Sequence, residues 1–175
     1  MTTATTTSVG IGSMIAPGLN YGISYAEKLC KDIPAAKFGH CPMKDVNHPL
    51  FYIAHLGLYA ERILEMIGRK DLANPIDPKQ DEFFKNGAPC LEQTGQYPNK
   101  DVVLKNFLER YKLVAATLPG VSDETFLQAN PMGGRMSEMF PTLGSVVMFM
   151  CGSHMQMHLG QISAWRRVMG MGSCN

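Results

Sequence analysis

The chain has no block of like charge. Sixteen basic residues stand against fifteen acidic ones, for a formal net charge of +1. Apart from Arg166-Arg167 and Arg69-Lys70 the basic residues are scattered. Nucleic-acid binders carry a basic stripe, so that class is excluded. Any run of about 18 uncharged apolar residues is also missing, which argues against a membrane partner through a transmembrane helix. The N-terminal MTTATTTSVGIGSM has neither a basic n-region nor a long apolar stretch, and does not read as a secretory signal. The five cysteines (Cys30, Cys41, Cys90, Cys151 and Cys174) are odd in number and lack CxxC spacing. They read as free thiols in a reducing cytoplasm, with no intrachain disulfide. Strand-like alternation is absent as well.

What is present is helical periodicity. Residues 1–13 are Thr-rich, without an apolar period, and are expected to be disordered. From 14 to 33, Ile15, Leu19, Ile23, Ala26, Leu29, Cys30 and Ile33 fall on one stripe, and Pro34 ends the helix. Asn47 reads as the N-cap of a second helix running to about Ile67, with Pro49 in its first turn and Gly68 beyond its end. Leu104, Phe107, Leu108, Tyr111, Val114, Ala115 and Leu118 give a third helix over 100–118, closed by Pro119-Gly120. The fourth and most apolar runs from Leu143 to Met169. Two long connections, 69–100 and 119–143, hold most of the remaining Pro and Gly, with short helices expected near 78–85 and 122–128. Residues 14–172 therefore read as one all-α domain, most simply a four-helix bundle with long connections after helices two and three.

Two histidines one helical turn apart, His154 and His158, lie on the stripe Val147, Met150, Cys151, His154, His158, Gln161 and Trp165. Residues i and i+4 project from the same helix face, so two imidazoles can meet one metal ion there. Burying both by hydrogen bonds alone is costly, and a ligand pair is preferred over a hydrogen-bonded pair. His55, within HPLFYIAHLGLYAERILEMIG, supplies a third nitrogen from another helix. Three histidines leave positions open for water or substrate, as in a catalytic divalent-metal site. His48, at the helix start, competes with His55 but has less apolar surroundings; His40, in a Gly-Pro loop, reads as solvated.

Other residues have simpler readings. Cys151 is geometrically able to join the site but reads as a small buried hydrophobe. Gln161 could orient a ligand ring or serve as an interhelical contact. Glu61 could be a base, but with Glu65, Arg62 and Arg69 it reads as part of a solvated face. Arg166 and Arg167 complement the helix dipole. Most of the thirteen methionines fall from Met132 onward and read as core packing.

HPLFYIAHLGLYAERIL followed by HMQMHLGQISAWRRVMG resembles the DinB-like (DinB/YfiT) metalloenzyme superfamily. The match rests on His55, then on His154, His158, Gly160, Gln161 and the basic pair Arg166-Arg167. The resemblance implies an up-down-down-up bundle, a three-histidine metal site at His55, His154 and His158, and a homodimer. It also implies thiol-dependent S-transferase chemistry with a low-molecular-weight thiol such as bacillithiol or mycothiol. The expectation is therefore a cytoplasmic protein that binds Zn²⁺, Ni²⁺ or a similar ion and acts on a small-molecule substrate. The ion would lower the pKa of a thiol, which would attack an electrophile held against the Met-rich wall. The alternatives are a metal-dependent hydrolase and a non-catalytic metal- or ligand-binding stress-response module.

Overall fold

Four apolar stripes in one chain have to bury one another, and they do so side by side. The structure is a computed structural model that describes residues 9–174. Its long rods are α1 (Ile11–Lys31), α3 (Pro49–Met66), α5 (Lys100–Thr117) and a composite fourth. That fourth rod is made of α8 (Leu143–Phe149), a π-helical turn (Met150–His154) and α9 (Met155–Val168). Four short helices decorate the connections: α2 (Ala35–Phe38), α4 (Pro78–Phe84), α6 (Asp123–Leu127) and α7 (Gly134–Met139). The described residues contain no strand, and one isolated bridge joins Ala129 to Thr142. The all-α expectation holds. Of the helices, α2 and α7 are too short to show a period, and the sequence reading leaves them out.

Both α1 and α3 pack against α5, and both also pack against α9. The core between them is filled by Leu19, Ile23 and Leu29 of α1, Ile53, Leu56 and Ile63 of α3, Phe107 and Tyr111 of α5, and Leu159, Ile162 and Trp165 of α9. All are at most 3% exposed. Burying each such side chain is worth roughly 1.5–3 kcal/mol, so packing of the stripes dominates the fold.

Helix ends are tied by specific groups. The backbone N–H of Ile11 donates to the Asp123 carboxylate at 2.7 Å, so a residue of α6 caps α1. The expected disorder falls mainly on residues 1–8, outside the described residues, while α1 begins at Ile11 rather than at 14. His48, not Asn47, caps α3: its ring Nδ1 accepts from the Phe51 N–H at 3.0 Å. Asn99 and Ser122 cap α5 and α6 through their side-chain oxygens, as short polar side chains do where helical N–H groups lack partners.

The methionines divide. Met150 and Met155 fill the core as expected, and Met66, Met136, Met169 and Met171 pack half-buried against it, while Met14, Met43, Met132, Met139, Met148 and Met157 are exposed.

One close approach requires glycine. A Cβ on Gly12 would lie 1.9 Å from the Leu118 carbonyl oxygen, whereas a Cβ on Gly18, in the same helix, would meet nothing within 4 Å. Gly12→Ala should lose about 1–3 kcal/mol through overpacking against backbone. Gly18→Ala should gain roughly 0.5–1 kcal/mol of helix propensity. Equilibrium urea denaturation of the two variants checks both signs.

Candidate metal centre

The site grows from the middle of α3 and the junction of the π turn with α9. His55 sits on α3 facing the bundle, 4% exposed. His154 is the last residue of the π turn, 7% exposed, and His158 follows one turn later in α9, half-buried. The π turn holds one extra residue per turn, which widens the rod and re-aims the side chains that follow it. Gly152 lies within it, with open space where a side chain would be.

The three rings meet edge-on through their Nε2 atoms. His55 Nε2 lies 3.3 Å from His154 Nε2, and His154 Nε2 lies 3.1 Å from His158 Nε2. Their outer nitrogens define the tautomers. His55 Nδ1 is 2.6 Å from the Phe84 carbonyl oxygen, which can only accept, so Nδ1 carries the proton and Nε2 a lone pair. His158 Nδ1 lies 2.7 Å from Gln161 Oε1, with the same consequence. His154 Nδ1 is buried without a hydrogen-bond partner.

Two lone pairs thus point at a third ring that can offer at most one proton at Nε2. At least one pair of nitrogens must then face each other without a hydrogen between them. A divalent ion resolves that frustration, because it accepts a lone pair from every ring. The spacing fits: Nε2 atoms about 2.0–2.1 Å from a tetrahedral ion stand about 3.3 Å apart. The outer contacts from Phe84 and Gln161 are of the kind that orient metal-bound histidines.

The surroundings keep the rings neutral. Burial pushes the His55 imidazole down to about 4, against the opposing Phe84 hydrogen bond, with the charges of His158 and Arg62 adding to the depression. Burial and the two neighbouring imidazoles push His154 down to about 3. Burial also lowers His158, opposed by its bond to Gln161. Aromatic rings pack around all three imidazoles. Phe51 stacks on His55 with centroids 6.1 Å apart, Tyr59 lies 4.9 Å from His55 and 4.7 Å from His154, and Tyr52 lies 5.3 Å from His158. Phe149 closes the far side of His154 at 5.7 Å. The solvent edge is at half-buried His158 and exposed Gln161. A cavity of about 240 Å³ lies elsewhere on α3, lined by Ala54, Leu58, Glu61, Phe84 and others, and includes none of the three histidines.

Other candidates fall away. His48 is fully buried, but its Nδ1 caps α3 and its Nε2 donates to the Leu91 carbonyl at 2.8 Å. His40, read as solvated, is half-exposed with Nδ1 2.8 Å from Glu92. Cys151 is 1% exposed, its thiol pushed up to about 12 by burial, and it is not part of the histidine group. Glu61 belongs to no solvated face and lies away from the histidines. It is 6% exposed and takes two hydrogen bonds from Arg110 at 2.6 and 2.7 Å and one from the Asn74 N–H. Arg166 does more than meet a dipole: it is 1% exposed, donates to the Leu29 carbonyl at the end of α1, and pairs with Asp32. Sequence reasoning missed the Phe84 carbonyl, Tyr59 and Phe149. Tyr59 stands one turn after His55 on α3, a spacing the sequence does show. Phe149 ends α8 just before the π turn that re-aims His154, and Phe84 depends on where the connection folds back, for which no sequence pattern exists.

A sequence profile of the DinB superfamily matches residues 20–162, from inside α1 to inside α9, with all three histidines included. The chain belongs to the DinB superfamily. The resemblance carried by His55 and the HxxxHxGQ segment is thereby borne out, though the matched span stops short of Arg166-Arg167. Among curated proteins, none matches this chain. In this DinB-superfamily protein three imidazoles, gathered by α3 and the fourth rod, form a group fit for a divalent ion.

Proton linkage gives a test. In the folded, metal-free protein His55 and His154 are neutral down to about pH 4 and 3, while in the unfolded chain histidine protonates near 6.5. Below 6.5 the unfolded state binds more protons, so stability falls as pH drops toward that lower range and is fully present above it. Urea denaturation in chelator between pH 7 and 5 should show this slope, and His55→Asn should flatten part of it. A flat wild-type profile would mean that the histidines are not buried in neutral form.

Proposed function

We propose that His55, His154 and His158 hold one divalent ion, Zn²⁺ or Ni²⁺ being the best chemical fit, and that the centre activates a small-molecule thiol for transfer to an electrophile. The observation that carries this reading is the ligand count. Among the described residues the group contains three neutral nitrogens and no fourth protein ligand, the pattern of a catalytic rather than a closed structural site. Such an ion supplies Lewis acidity that lowers the pKa of a bound thiol or water.

The chain's own residues do the rest. Neutral imidazoles leave the charge of the ion uncompensated and so favour an anionic ligand such as a thiolate. The Phe84 carbonyl and Gln161 fix two of the rings in the tautomer that presents a lone pair. Tyr52, Tyr59, Phe51 and Phe149 exclude water from the inner side and offer apolar surface to an electrophile. The edge at His158 and Gln161 is where reactants enter. Action in the cytoplasm as a homodimer belongs to the same proposal. No helix of the described residues is long and apolar enough to cross a membrane.

The test compares wild type with His158→Ala by metal content, circular dichroism and thiol-transfer rate. His158→Ala should lose metal and activity while keeping its helices, and should melt like metal-free wild type, because a ligand present at 100 times Kd adds about 2.7 kcal/mol. Gln161→Leu should weaken metal binding roughly 10–100-fold with the fold intact. Retained metal in His158→Ala removes that residue from the site. Undiminished turnover without metal refutes metal catalysis. Global unfolding on metal loss makes the ion structural and favours a binding module.

A further inference from the structure

A second cluster lies on the N-terminal side of α3. Cys41, in the loop between α2 and α3, and Cys90, between α4 and α5, place their sulfurs 4.0 Å apart across 49 residues of sequence. Both are half-buried, so small reagents reach them. His48 stands beside them, with one ligand atom from each of the three residues within 4.8 Å of the others. A metal is not what this geometry serves best, because both ring nitrogens of His48 are engaged. Nδ1 accepts from the Phe51 N–H, and Nε2 donates to the Leu91 carbonyl. Ligation would cost α3 its cap or break the loop contact. The cluster is therefore a dithiol next to a fixed imidazole.

The sulfurs are held together by bonds that do not involve them. The Gln93 N–H donates to the Gly39 carbonyl at 3.0 Å, and the Cys41 N–H donates to Glu92 Oε2 at 2.8 Å. Glu92 Oε1 contacts His40 Nδ1, and the Leu91 carbonyl takes the His48 Nε2–H. Residues 39–48 and 91–93 are thus tied on both sides of the pair. A reaction between groups already held in place avoids most of the entropy of encounter.

We propose that Cys41 and Cys90 form a redox-active dithiol, a modification site that a low-molecular-weight disulfide closes to an intrachain disulfide. The Cys41 thiolate attacks one sulfur of the small disulfide, and the first small thiolate leaves and takes up a proton. The Cys90 thiolate then attacks the Cys41 sulfur of the mixed disulfide and expels the second. Two protein thiols are oxidised, and one small disulfide is reduced to two thiols. The order follows from burial. Either thiol can donate the hydrogen between the two sulfurs, but Cys90 is the more deeply buried and is pushed up to about 12, so Cys41 ionises first. Burial raises Cys41 as well, so closure is slow near neutrality and accelerates with pH. The site does not depend on the histidine centre holding a metal. The absence of disulfides expected from sequence describes the reduced protein, in which all five cysteines are free.

The experiment uses the full reduced chain in chelator with oxidised glutathione at pH 7 and pH 8.5. Thiol titration should fall by two groups, and peptide mapping should join Cys41 to Cys90, with the faster rate at the higher pH. Closing a loop of this length should raise Tm by roughly 5–15 °C. Cys41→Ser should not close, and Cys90→Ser should stop at a glutathione adduct on Cys41. If either variant fails to fold, mapping of the wild type still decides. Closure between other cysteines overturns the proposal, as does loss of no thiols at pH 8.5. A cluster that keeps zinc through chelation and resists oxidation overturns it too, and is then a metal site.

Discussion

Three imidazoles brought to one point inside a helical bundle impose a condition that much of the structure meets. Charged, they would repel one another in a medium that solvates them poorly; neutral, they must find a use for six ring nitrogens. Of the inner three, that of His154 lies 3.3 Å from that of His55 and 3.1 Å from that of His158. Of the outer three, one is held by the Phe84 carbonyl, one by Gln161, and that of His154 has no partner. The Phe84 contact links site to fold most directly. Its ring is fully buried against Phe51 and Tyr97, so the packing that ends α4 also aims the carbonyl at His55.

The same requirement, that buried polar groups be partnered, explains the other cross-links. Arg166 spans from α9 to the end of α1, where it satisfies the Leu29 carbonyl and pairs with Asp32, holding that carboxyl below its ordinary range. Glu61 and Arg110 join α3 to α5 with two hydrogen bonds, and Arg110 also donates to the Leu72 carbonyl. Trp165 donates its indole N–H to the His40 carbonyl. The Glu61–Arg110 pair joins two rods directly, and the other bonds run from a rod to a connection or a helix end. Together they set where the irregular segments lie on the bundle.

The long connection after α3 is consequently part of both side-chain clusters rather than a spacer. Within it Phe84 supports His55, Leu91 anchors His48, and Cys90 faces Cys41. Tyr52, whose hydroxyl is pushed up to about 12 by burial, with Cys90 contributing, packs on His158 at the solvent edge. The dithiol and the histidine centre therefore share a neighbourhood around the first half of α3.

Local pattern determined the four rods, because an apolar stripe at helical period has only one way to be buried. It also pointed to the three histidines that the fold groups: i, i+4 spacing on a buried stripe is geometric, and His55 stands in the apolar stretch of a second helix. The short connections between cap and helix were nearly legible, with α4 beginning at Pro78 and α5 at Lys100 as the sequence suggests. What only the tertiary structure decided depends on distance in sequence. The π turn at Met150–His154 breaks the regular period that the stripe assumes. Phe84 reaches His55 across 29 residues, Cys90 reaches Cys41 across 49, and Arg166 reaches Asp32 across 134. Residues that close loops of those lengths carry no periodic signature. Their partners are chosen by which buried donor or acceptor is left unsatisfied once the rods have packed.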